Sequence, residues 1–157
     1  MKTVVLFLRK KRLINALFLV YLLLVLRLTV FRPGFWPLHL FQDGLVGEPW
    51  VYYRFFVQQG RWNVLFRDFL WNYPGNIIGF LPLGGWLVWR DRRCPLWKAA
   101  GVGLVLSLTI EGSQYVFGVG SASVSDLMTN TLGAWLGGWL MKTAQWDARR
   151  RTEWPPL

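Results

Sequence analysis

The sequence predicts an all-α integral membrane protein: a bundle of four transmembrane helices with an aromatic-rich outer loop between the first and second spans. Three observations carry this reading. Of 157 residues 54% are hydrophobic, with 11 Trp and 11 Phe, more than a soluble domain of this length needs to fill a core. Long apolar runs recur along the chain. The net charge of +10 is divided into short basic clusters between those runs. That is the positive-inside distribution, and no single basic element is present as a nucleic-acid surface would require.

The first span is expected at about 13–31. "MKTVVLFLRKKR" precedes it with five positive charges, and "LINALFLVYLLLVLRLTVF" is apolar except for Asn15, Arg27 and Thr29. Such a run can cross about 30 Å of hydrocarbon. A secretory signal is the rival reading. The run is too long for a signal core, and "FRPGFWP" after it offers no small-x-small cleavage site, so a retained span is expected. The second span, about 74–89, opens at Pro74, whose missing N–H suits a first helical turn. Pro82 inside it should kink the helix. "RDRRCPLWK" is a basic loop, the third span is expected at about 96–117, "GVGSAS" is a tight turn, and the fourth span runs over about 124–141. A basic tail follows.

Charge then sets orientation. Lys2, Arg9, Lys10, Lys11 and Arg12, then Arg90, Arg92, Arg93 and Lys98, then Lys142 and Arg149–Arg151 fall on one side. The loop 37–73 is balanced and the GVGSAS turn carries no charge. The chain is therefore expected in the cell membrane, multi-pass, as a single membrane domain over 1–157 with both termini cytoplasmic. The segment Glu48 to Trp71 interleaves Arg with aromatics, which suits the headgroup level. It is expected against the outer leaflet as a short helix or hairpin. Cys94 and His39 lack any metal-ligand or disulfide pattern, and no cofactor is expected.

Six polar residues need an explanation. Ser107, Glu111 and Gln114 share one face of the third helix at i, i+4, i+7; Asp126, Asn130, Gly133 and Gly137 share one face of the fourth. Asn76 opens the second helix and Arg27 lies near the outer end of the first. Arg27, Asn76, Glu111, Gln114, Asp126 and Asn130 all fall at a similar height toward the outer leaflet. A central charged residue costs ~2.5–3.5 kcal/mol on insertion scales, so their shared level points to a ligand-binding site. Structural roles are also open. "SVSD" has the capping-box spacing, which makes Asp126 a cap paired with Ser123. Asn76 can cap the second helix, and Gln114 and Asn130 can bond between helices. Gly133-x-x-x-Gly137 and Gly75-x-x-x-Gly79 are close-packing motifs, and Arg27 can snorkel to headgroups. Glu111 is too deep to cap and is acidic within an apolar run, so it needs a partner or a proton.

These residues also carry a family resemblance. "NIIGFLPLGGWL" resembles the Asn-x-x-x-Phe-x-Pro-x-Gly motif of VanZ-like membrane proteins. "IEGSQ" and then "SVSDLMTNTLGAWLG" resemble the same family's Glu-x-x-Gln and Asp-x-x-x-Asn-Thr-x-Gly-Ala block. The resemblance covers Asn76 to Gly138, about half the chain; the first span and the loop match in layout only. It implies that Asn76, Glu111, Gln114, Asp126 and Asn130 form the family's polar signature. Members commonly have an Arg in the turn before the Asp, where this chain has Gly120. Arg27 is expected to supply that charge, within pairing distance of Glu111 or Asp126. The family is named for an accessory factor in resistance to glycopeptide antibiotics such as teicoplanin.

The first functional expectation is a non-enzymatic envelope factor whose outer polar cluster binds a lipid headgroup, an envelope precursor or a glycopeptide. Membrane lipids are its expected partners and nucleic acid is not. The alternatives are an intramembrane enzyme or proton-linked transporter using Glu111 and Asp126, and a purely structural subunit. No nucleophile, metal set or phosphate loop supports an enzyme.

Overall fold

The computed structural model describes residues 2–31, 57–58, 60, 71–119 and 122–153. Among them are four α-helices and no strand: α1 Lys2–Thr29, α2 Asn76–Arg90, α3 Leu96–Phe117 and α4 Val124–Glu153, with a π-helical turn Trp71–Gly75 leading into α2. Most of the outer loop, His39 and the Gly120 position of the turn lie outside the described residues.

Two helices run further than their expected spans. α1 begins at Lys2 because "KTVVLFLRKKR" contains no Gly or Pro, and Lys and Arg are good helix formers. α4 continues past Met141 through "KTAQWDARRRTE" for the same reason. Two consecutive prolines follow shortly after. Pro74 falls in the π-helical turn rather than in α2 itself. α3 starts after Pro95, which is extended and lacks a useful N–H. It ends at Gly118, whose φ of 60° is left-handed and allows its N–H to reach the Gln114 carbonyl.

The centre of the fold is a seam between α2 and α4. A Cβ placed on Gly133 would lie 2.4 Å from the Ile77 carbonyl oxygen, on Gly137 2.0 Å from that of Leu81, and on Gly84 1.7 Å from that of Ala134. The two backbones therefore touch, and only glycine fits. The pairing order makes α2 and α4 parallel. The expected Gly133 and Gly137 motif lies in this seam. Gly79 does not, since a Cβ there would meet nothing within 4 Å; its place is taken by Gly84, which is on the other face of α2. α3 runs antiparallel to α4, with Gly103 against Ala134 and Ser107 against Asn130.

α1 lies along α2 in the opposite direction. The Phe18 ring stacks on Trp86 at 4.0 Å between centroids, Trp86 Nε1 donates to Asn15 Oδ1 at 3.3 Å, and the Tyr21 hydroxyl donates to the Gly79 carbonyl at 2.7 Å. That carbonyl sits in the turn where Pro82 interrupts the α2 bonding ladder. Arg9–Thr29 is the one stretch among the described residues both long and apolar enough to cross a membrane. α2 has 15 residues, about 22 Å at 1.5 Å each, which is short of a 30 Å hydrocarbon core. α3 is long enough at 22 residues, but carries Lys98, Glu111 and several Gly and Ser.

Burial is inverted relative to a water-soluble fold. The interior holds Phe80, Leu83, Ile110 and Ala134 but also Ser107, Glu111, Gln114 and Asn130, none more than 9% exposed. The outer surface is Leu, Val, Met and Trp, as at Leu13, Leu28, Val105, Met128 and Trp97.

Candidate functional site

The C-terminal ends of α1 and α3 and the N-terminal ends of α2 and α4 meet at one end of the bundle, and all six candidate residues lie on these ends. Each is held by a neighbouring element. Asn76, the first residue of α2, donates through Nδ2 to Thr129 Oγ1 of α4 at 3.4 Å, and its side chain also neighbours the Asp126 carboxylate. Thr129 in turn donates to the Ser125 carbonyl, one of the ordinary fates of a helical threonine. Asn76 therefore ties α2 to α4 rather than capping its own helix.

Glu111 is 6% exposed, and its Oε2 accepts the backbone N–H of Ser123 at 2.8 Å. This revises two expectations. In a capping box Asp126 would take that N–H; here Glu111 takes it from the adjacent helix, and Ser123 Oγ instead pairs with Ser125 Oγ at 2.7 Å. Glu111 was expected to be too deep for any capping role. It caps α4 because α3 and α4 are antiparallel, which brings the last turns of one beside the first residue of the other. A carboxylate at a helix N-terminus is favoured by the dipole and by a charge-assisted hydrogen bond.

Gln114 Nε2 donates to the Thr29 carbonyl of α1 at 3.2 Å, so it satisfies one of the terminal carbonyls that a helix end leaves without a partner. Asn130 Nδ2 donates to Ser107 Oγ at 2.9 Å between α4 and α3. Asn130 is 4% exposed and its Oδ1 has no hydrogen-bond partner. An orphaned buried acceptor costs about 1–3 kcal/mol. Among the described residues this Oδ1 is the one fully buried side-chain nitrogen or oxygen without a partner.

Arg27 departs from expectation. It is exposed, and its guanidinium donates to the Phe31 carbonyl just beyond its own helix; among the described residues no ion pair joins it to Glu111 or Asp126. The cause is local: the last turn of α1 presents free carbonyls and a negative dipole end, which a cation four residues away can reach. The cluster is therefore a set of interhelical contacts at one level. Asn76 and Asp126 meet at the α2–α4 seam, Glu111 and Asn130 bind across α3–α4, and Gln114 reaches α1. Arg27 stands at the rim. Thr129 and the Thr29 carbonyl were not singled out in the sequence, and Ser123 was paired with Asp126 rather than with Glu111, since a backbone N–H or carbonyl partner leaves no compositional mark.

Among the described residues no group of three His, Cys, Asp or Glu side chains could hold a metal ion. Cys94 is buried, with its thiol at 3.7 Å from the Pro95 carbonyl.

The geometry can be set beside known proteins. Protein VanZ from Enterococcus faecium is 37% identical over 62 residues, which are 40% of this chain and 38% of that protein. The matched segment thus spans well under half the length of the relative. No solved structure matches the chain. A family model described as VanZ/LLP1 matches residues 18–145, from the ring that docks α1 through all six cluster positions to Gln145 in α4. The chain belongs to the VanZ/LLP1 family.

Proposed function

We propose that the chain is a four-span membrane protein with both termini cytoplasmic, acting as a non-enzymatic cell-envelope factor. Its polar cluster, including Arg27 at the rim, would lie in the outer leaflet and receive a lipid headgroup, an envelope precursor or a glycopeptide. The observation that carries this is the inverted burial. Ser107, Glu111, Gln114 and Asn130 are inside while Val105, Met128 and Trp97 are outside. In water that arrangement loses on both counts; in hydrocarbon it is favourable, because intramembrane polar groups belong in the bundle interior. The alternating directions of α1 to α4 and the basic clusters at 9–12, 90–93 and 149–151 agree with it. The glycopeptide option rests on the association of VanZ-like proteins with glycopeptide resistance.

The Glu111–Ser123 bond favours a second reading, in which the cluster only locks the helices together. Glu111→Gln separates the two. An amide oxygen can still accept from Ser123, so the variant should insert and fold as the parent does, while the charge is gone. On the binding reading, teicoplanin tolerance conferred on a susceptible host is lost with thermal stability preserved; on the structural reading tolerance survives, and only Glu111→Ala does harm. Full tolerance in a folded Glu111→Gln variant would retire the binding site. Orientation is tested separately by Ser121→Cys in a Cys94→Ser background. An impermeant thiol reagent should label it from outside, and labelling from inside alone would reverse the topology.

A further inference from the structure

At the end of the bundle opposite the polar cluster, about 21 Å away along α2, two cavities lie side by side. One is a cup of about 730 Å³ lined by Lys11, Asn15, Trp89, Arg90, Arg92, Met141 and Gln145. The other is an apolar groove of about 640 Å³ between α1, α2 and α4, walled by Leu17, Phe18, Leu81, Pro82, Trp86 and Leu140. Trp89 and Met141 line both, so the groove adjoins the cup. We propose that these adjoining cavities bind one phospholipid with an anionic headgroup, the head in the Lys11–Arg90–Arg92 cup and an acyl chain in the groove.

The sign of the head follows from the lining. Lys11, Arg90 and Arg92 are cations, Asn15 and Gln145 are neutral, and among the described residues no acidic side chain lines the cup. The nearby Asp91 is turned into its own loop, where its carboxylate accepts the Arg93 N–H at 2.9 Å. A zwitterionic head would set its ammonium group among three cations; an anionic head meets them with charge of the right sign. Arg90 is held in place, its guanidinium 5.4 Å from the Trp86 ring on which Phe18 also stacks. The groove decides between a lipid and a soluble anion. A free phosphate would use the cup alone and leave an apolar channel unfilled, whereas a phospholipid matches both parts. Basic residues here also serve orientation, but orientation requires no groove and no stoichiometry.

This inference rests on the chain being membrane-embedded, not on the outer cluster having a ligand. Retention of the protein in membranes after an alkaline wash checks the first point, and release would overturn both. Native mass spectrometry of the detergent-extracted protein, titrated with phosphatidylglycerol or phosphatidylcholine, then tests the site. One phosphatidylglycerol should bind in clear preference to phosphatidylcholine. K11Q/R92Q removes two basic contacts and should weaken it about thirty-fold. Ala144 also lines the groove; A144W fills it without touching a charge and should weaken binding as well. Soluble glycerol phosphate should not compete. Equal retention of the two lipids, an unaltered K11Q/R92Q variant, or efficient competition by glycerol phosphate would each overturn the proposal.

Discussion

Gly84→Ala tests the backbone seam most directly. The added Cβ would lie 1.7 Å from the Ala134 carbonyl oxygen, 2.7 Å from its carbon and 2.8 Å from the Gly138 nitrogen. Ordinary contact begins near 3.4 Å, so α2 and α4 must part by about 1.7 Å, the difference between those two distances. All three obstacles are backbone atoms, and no rotamer change relieves them. A gap of 0.5–1 Å already forfeits a quarter to a half of the dispersion well, so the seam loses most of its direct contact energy. Overpacking costs ~1–3 kcal/mol even where side chains can yield; about 3 kcal/mol is the expected loss here. Gly79→Ala is the control five residues away. Its Cβ meets nothing within 4 Å, and replacing glycine in a helix interior gains ~0.5–1 kcal/mol. At ~2–4 °C per kcal/mol for a chain of this size, the two variants should melt about 10 °C apart, with the parent between them. Cys94, the single cysteine and 3% exposed, supplies the assay: a thiol-reactive fluorophore in detergent labels it on unfolding. A Gly84→Ala protein that melts with or above Gly79→Ala would refute the backbone contact.

Tyr21→Phe removes the 2.7 Å bond to the Gly79 carbonyl and should cost about 1 kcal/mol in the same melt; an unchanged midpoint would mean that the hydroxyl contributes nothing to docking α1. Ser107→Ala and Asn130→Ala should each destabilise by ~1–2 kcal/mol, with the double variant no worse than the more damaging single one, since each loses the same 2.9 Å bond. Additive losses would show that the two side chains act apart. Ser107→Ala combined with Asn130→Leu replaces both partners and the orphaned Oδ1 by apolar atoms, and should hold or raise stability. Loss of teicoplanin tolerance in that folded variant would mark Asn130 as a ligand contact, and retained tolerance would make it scaffold.

What the sequence discloses about this fold depends on whether the relevant partners share a helix. The face of Ser107, Glu111 and Gln114 is a matter of 3.6-residue periodicity, and it is buried as that spacing requires. Gly133 and Gly137 read correctly for the same reason. Gly79 read wrongly, and Gly84 was not singled out, because spacing identifies a stripe of small residues but not the side of the helix that meets another backbone. Glu111 and Ser123 are joined across a turn, and the acceptor for a backbone N–H has no residue type of its own. Arg27 looked like a counter-ion because the carboxylates lacked a visible cation; its nearest acceptors were carbonyls at the end of its own helix, which hydropathy does not register. Helix ends followed propensity beyond the hydrophobic window, so α1 and α4 outrun the apolar segments that located them.

The glycine seam also bears on the entropy of assembly. Where two helices meet through Leu or Ile, each buried side chain surrenders rotamers, at ~0.5–1 kcal/mol apiece. Gly and Ala have no such freedom to lose. Gly133 and Gly137 meet the Ile77 and Leu81 backbone and Gly84 meets that of Ala134, so these contacts form without immobilising a side chain at the glycine positions. Lipid supplies no hydrophobic drive between helices, so association there depends on weak attractions unopposed by ordering. α2 and α4 are thus suited to find one another early and to stay in register. α1, whose docking must immobilise Asn15, Phe18, Tyr21 and Trp86, would be the last helix to settle and the first to leave.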